Sequence, residues 1–206
     1  MARRYTLRAM LSVDARVAFA PEATYRQLVA QEAPSSGWRA LGRPALVLLL
    51  IAVILPIMAV REITASLVLT SAAAWSVVVA IQIAVAVVVI ASAPARKIGF
   101  GRALELWFAG HLPYSAWILL LPFVTSIPGV QALDAMAVTV LVPIIWTTFI
   151  VTAFCRAVLG ATPAGARWRA ALQQTMALTT IVTLALWAAG GVDAVVSYTM
   201  RLLGRY

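Results

Sequence analysis

Residues 64–93 read TASLVLTSAAAWSVVVAIQIAVAVVVIASA, thirty consecutive positions without a charged side chain. About 20 apolar residues in a helix cross a hydrocarbon layer roughly 30 Å thick. A helix also satisfies every backbone N–H and C=O within itself, as lipid requires. The stretch therefore decides the solvent, which is a bilayer, and with it the class of fold, which is a bundle of helices.

The rest of the chain agrees. Of its 206 residues, 63% are hydrophobic and 11% charged, and the mean hydropathy is +0.96. A soluble domain averages about 45–50% apolar and about 25% charged residues. The length has room for several spans and excludes a second, soluble domain. One cysteine, Cys155, rules out an intrachain disulfide and a thiolate metal cluster built from this chain alone. The net charge of +9 comes from arginines beside apolar segments, where anionic head groups attract them. It is read as topology, with no nucleic-acid partner.

Working outward from residues 64–93, charges and loop-forming residues divide the chain into an all-α, polytopic bundle of about five spans: 44–60, 64–93, 100–127, 133–159 and 170–190. Arg61 and Glu62 close the first, and the Pro94, Arg96 and Lys97 segment closes the second. The turn at 126–129 closes the third, and Gly160 to Gly165 the fourth. No internal repeat supports an inverted-repeat carrier. Thirteen of the sixteen basic residues fall in the N-terminal segment, the 96–102 region and the 156–169 region. Positive charge gathers in cytoplasmic loops, which predicts a cytoplasmic N-terminus and a C-terminus across the membrane.

Residues 1–43 are too polar to span and form an N-terminal arm ahead of the transmembrane domain, 44–206. The first run of apolar residues lacks a signal-peptide cleavage pattern, so the arm is expected to be retained. Pro21 and Glu22 suit the first turn of a short helix that places Tyr25, Leu28 and Val29 on one face. Such an amphipathic segment is expected at the membrane surface, or as a partly ordered tail. Arg3, Arg4 and Arg8, with Arg96 and Lys97, are the expected head-group contacts.

Chemistry concentrates in the third span, where Glu105 and the single histidine, His111, lie in an apolar run. Ionisable groups at membrane depth are functional candidates. Glu105 follows Arg102 by three residues, so an ion pair accounts for it without function. His111 lies about 9 Å further along the axis and need not share its face. Pro113 removes the hydrogen bond that the Ala109 carbonyl would accept, and Pro122 does the same to Ile118, so a kink is expected. His111 then either bonds a freed carbonyl or a neighbouring helix, or serves as a proton relay or an axial tetrapyrrole ligand. No metal site, phosphate loop, paired deep carboxylates or nucleophile motif is present in the sequence. Neither a catalytic residue nor a cofactor is expected.

Two ridges of small residues recur every four positions: Ala72, Ser76, Ala80 and Ala84 in the second span, and Ala171, Thr175, Thr179 and Thr183 in the fifth. Small residues let another backbone approach where lipid supplies no hydrophobic drive to associate. The partner surface is either another helix of this chain or a second protein. Gln82, Gln173 and Gln174 would also seek partners in a dry environment.

The stretch from Pro21 to Leu28 (PEATYRQL), five compact spans, and Gly110 to Tyr114 (GHLPY) in the third make a layout that resembles the Yip1-like family of five-span membrane proteins. The resemblance implies a scaffold or trafficking-type role and brings no catalytic residues. The alanine, valine and arginine bias suggests a bacterial inner membrane. The leading expectation is a non-catalytic scaffold or accessory subunit packed against other membrane proteins. The alternatives are a small permease using the kinked third span, and a subunit contacting pigment or haem through His111.

Overall fold

The computed structural model describes residues 7–31, 37–93, 95–130 and 132–188, with 191, 193, 196, 197, 200 and 201. Among these the chain is all-helical: α1 (Leu7–Phe19), α2 (Pro21–Ala30), α3 (Gly37–Val60), α4 (Ala65–Ala91), α5 (Phe100–Ala109), α6 (Leu112–Thr125), α7 (Ala132–Thr139), α8 (Leu141–Ala157) and α9 (Pro163–Ala188).

The opening stretch forms α4 nearly end to end. Thr64 caps it by accepting from the Leu67 N–H at 3.2 Å. β-branched residues are indifferent helix formers in water. Where no water competes, the cost of an unpaired peptide group outweighs that preference, and the valine-rich run stays helical.

The five expected spans are not all evident. Among the described residues, two helices are long and apolar enough to cross a membrane, one over Arg39–Met58 within α3 and the other α4. A third is obtained if α5 and α6, bent by 41° at their junction, count as one. The third expected span, 100–127, breaks at Gly110 and His111, where Gly110 and His111 N–H donate back three residues to the Trp107 and Phe108 carbonyls. The fourth, 133–159, is interrupted at Val140, because Pro143 has no N–H to offer the Thr139 carbonyl and its ring crowds that turn. That leaves α8 apolar but 17 residues long. The fifth corresponds to α9, whose first half carries Arg167, Arg169, Gln173 and Gln174. The first begins at Gly37 and not at residue 44, since α3 absorbs Pro44 in its interior along with Pro56.

The best-packed region lies at one end of the bundle. It joins Ala40 of α3, Val89 and Ile90 of α4, most of α5, Phe154, Cys155 and Ala157 of α8 with Val158 and Leu159, and Ala166 and Ala170 of α9. The basic connections meet there. Lys97 N–H donates to the Val158 carbonyl at 3.1 Å, and the Arg169 guanidinium to the Ser92 carbonyl at 2.8 Å.

The N-terminal helices close this end. Thr24 hydroxyl donates to the Arg16 carbonyl, folding α2 back on α1. Tyr25 and Leu28 are buried in the core with Val29 packed against it. The face expected at the membrane surface is therefore covered by protein. Trp146 of α8 donates to the Ala18 carbonyl at 2.8 Å. Arg43 of α3 holds both carboxylate oxygens of Asp14, at 2.8 and 3.1 Å.

Candidate functional site

α5 is buried from Arg102 to Ala109, an unusual state for a helix carrying two charges. Arg102 Nη1 donates to Glu105 Oε2 at 2.9 Å, and the residues are 8% and 5% exposed. The i,i+3 spacing makes the pair local, and each charge spares the other an unpaired burial. Glu105 is thus committed to Arg102, and it lines neither of the two cavities described below.

His111 sits at the α5–α6 break. Its Nδ1 lies 3.0 Å from the Trp107 carbonyl. A carbonyl only accepts, so Nδ1 carries the proton and Nε2 presents a lone pair. Nε2 is buried and has no hydrogen-bond partner. The ring rests against Trp107 and Phe108, with centroids 5.5 Å away in each case. The acceptor is neither the Ala109 carbonyl opposite Pro113 nor one on a neighbouring helix, but a carbonyl in the preceding turn of α5 that also accepts from the Gly110 N–H. Nε2, the atom a tetrapyrrole metal would need, is covered by the protein's own side chains. Glu105 and His111 belong to the same buried segment but share no contact, in keeping with their six-residue spacing.

Sequence reasoning missed what holds this segment in place. A Cβ on Gly110 would lie 2.7 Å from both Ile150 Cγ2 and Tyr25 Oη. The absence of a side chain is what lets α2 and α8 close on the end of α5. Tyr25 hydroxyl donates to the Leu106 carbonyl at 3.3 Å. The two segments quoted for the Yip1-like layout, 21–28 and 110–114, thus meet in space. A glycine directly before a histidine and a helix-starting proline was the available signal.

A second polar set crosses the bundle. Tyr114 of α6 donates to Gln174 Oε1 at 2.7 Å. Gln174 Nε2 donates to Thr147 Oγ1 at 2.9 Å, and Thr147 passes its own proton to the Pro143 carbonyl. Gln174 has found the partners expected of it. Gln173 has not: it is 4% exposed, and its Oε1 is buried without a hydrogen bond. It lines a cavity of about 190 Å³ between α3, α4, α6, α7 and α9. A second cavity, of about 420 Å³, lies between the end of α1, α6 and α8 and has apolar walls.

The two small-residue ridges face outward. Ser76, Ala80 and Ala84 are exposed and Ala72 is half-buried, while α4 turns Val78, Val85, Ala86, Val89 and Ile90 inward. Ala171, Thr175, Thr179 and Thr183 are all exposed. Among the described residues, then, only Ala72 of the two ridges is partly covered by this chain. Of the expected head-group contacts, Arg96 is exposed and stacks over Phe100 at 5.5 Å, and Lys97 is exposed. Arg8 lies in α1, and Arg3 and Arg4 lie outside the described residues.

The fold and these sites define an all-helical chain with two or three helices able to cross a membrane. Among known proteins, no family model matches the chain, and no curated protein or solved structure shows significant similarity to it.

Proposed function

We propose that this protein is a multi-pass scaffold or accessory subunit of a bacterial inner membrane, with its N-terminus cytoplasmic, that packs against other integral membrane proteins. The observation that carries this reading is the outward orientation of both small-residue ridges. Such ridges favour close backbone contact in lipid, and among the described residues all but the half-buried Ala72 are left exposed by this chain. The candidate ionisable groups support it from the other side. Glu105 is engaged by Arg102, and His111 Nε2, which has no hydrogen-bond partner, is enclosed by the protein; both favour this reading over a permease or a pigment site. The scaffold role implied by the Yip1-like resemblance points the same way.

The ridges give the test. Ala80→Leu with Ala84→Leu places bulk on an exposed surface where the fold has room, so thermal unfolding should move little. Any partner that copurifies in mild detergent should be lost or reduced at least tenfold. Undiminished copurification with the double variant would sink the reading.

A further inference from the structure

We infer that the cavity at Gln173 is a binding site for a neutral lipid alcohol, with the hydroxyl held by the Gln173 carboxamide and the chain lying along α9. The site is independent of the partner surface proposed above.

Three observations carry it. The first is the unsatisfied acceptor. A carboxamide oxygen buried without a partner is destabilising, and Gln173 carries one while its neighbour Gln174 is bonded at both its oxygen and its nitrogen. The second is the surrounding wall. Leu55, Trp75, Val78, Ile118, Leu121 and Met176 make it apolar, and no charged side chain lines it. An ionised head group would meet no counter-charge there, which is prohibitive at membrane depth. A hydroxyl both donates and accepts, so it pairs with either end of a carboxamide.

The third is placement. Gln173 follows Arg169 by four residues, one turn or about 6 Å, and Arg169 holds the Ser92 carbonyl at the basic end of the bundle. The lining continues along α9 to Ile181, about 12 Å further from that end. The polar atom therefore sits nearer the charged end and the apolar wall extends towards mid-membrane, the polarity of an amphiphile. A dry apolar cavity of about 150 Å³ holds a benzene molecule. At about 190 Å³ this one takes the hydroxyl and the first part of a chain. The other cavity has greater volume but offers no unpartnered polar group.

The test uses the full chain in nanodiscs and a long-chain primary alcohol carrying a diazirine within its chain, with crosslinks located by tandem mass spectrometry. Labelling is expected on α6 or on α9 between Met176 and Ile181. Gln173→Leu should lower it about fivefold, the worth of one net hydrogen bond. Ala177→Phe, which fills the cavity one turn along α9 from Gln173 and leaves the carboxamide in place, should abolish it. The unlabelled alcohol should compete, while its methyl ether and the fatty acid of equal length should compete at least fivefold less well. Thermal unfolding of both variants checks that they fold. Equal labelling of Gln173→Leu and wild type overturns the proposal. So does equal competition by the ether or the acid, or labelling confined to the lipid-facing positions of α4.

Discussion

Gly110 decides how closely the N-terminal helices can approach the bundle. A methyl group there would stand 2.7 Å from atoms of α2 and of α8. One of them is a γ-methyl of a fully packed isoleucine that cannot swing aside. Gly110→Ala should therefore cost about 1–3 kcal/mol, as overpacking does, whereas Tyr25→Phe should cost about 1, the value of its bond to Leu106. Chemical unfolding in mixed micelles measures both, and a stability gain in Gly110→Ala would contradict the close approach. The Arg102–Glu105 pair makes a second residue-scale prediction. Glu105→Gln alone leaves a buried cation and should destabilise by about 3–5 kcal/mol, while Arg102→Met combined with Glu105→Leu should recover most of that loss. A double variant as unstable as the single one would mean that the pair does more than neutralise itself. The i,i+3 spacing made this pair legible in the sequence. The role of Gly110 was not, because a close approach depends on which distant side chains arrive, here Tyr25 and Ile150.

At the scale of elements, α1 is tied to α3 by the Asp14–Arg43 pair. Burial raises the Asp14 carboxyl from 3.8 to about 6, a pull that Arg43 opposes and only partly offsets. Between those values the folded chain keeps a proton that the unfolded chain has released. Its contribution is therefore complete below 3.8 and lost as the pH rises through about 6. At about 1.4 kcal/mol per pKa unit the effect is on the order of 3 kcal/mol. Melting temperature should fall across this window in the wild type, with a visibly shallower slope in Asp14→Asn, and identical slopes would contradict the assignment. The elements were unevenly legible. α4 was read almost to its ends, because thirty uncharged positions bounded by a cap and a basic turn admit one structure. The face of α2 was also read from its spacing, but its destination was not. An amphipathic stripe buries the same residues against a membrane surface or against α8. Prolines were poor guides to helix ends. The span read from residue 44 begins earlier, because Pro44 lies within α3, while Pro143 accompanies an interruption of the helix one turn before it.

The molecule is packed unevenly, with its core, its basic connections and its N-terminal helices gathered at one end and two cavities lined by α6. The connections around Lys97 and Val158 and around Ser92 and Arg169 meet at that end through direct hydrogen bonds. This packing also leaves α4 and α9 presenting small residues outward, the observation on which the proposed scaffold role rests. The most direct measurement is the mass of the particle extracted from its own membrane in polymer-bounded nanodiscs, without detergent. The account predicts a mass well above that of one 22.0 kDa chain with its lipid, and a second integral membrane protein in fixed ratio. A particle containing one copy of this chain, lipid and no other protein would contradict it.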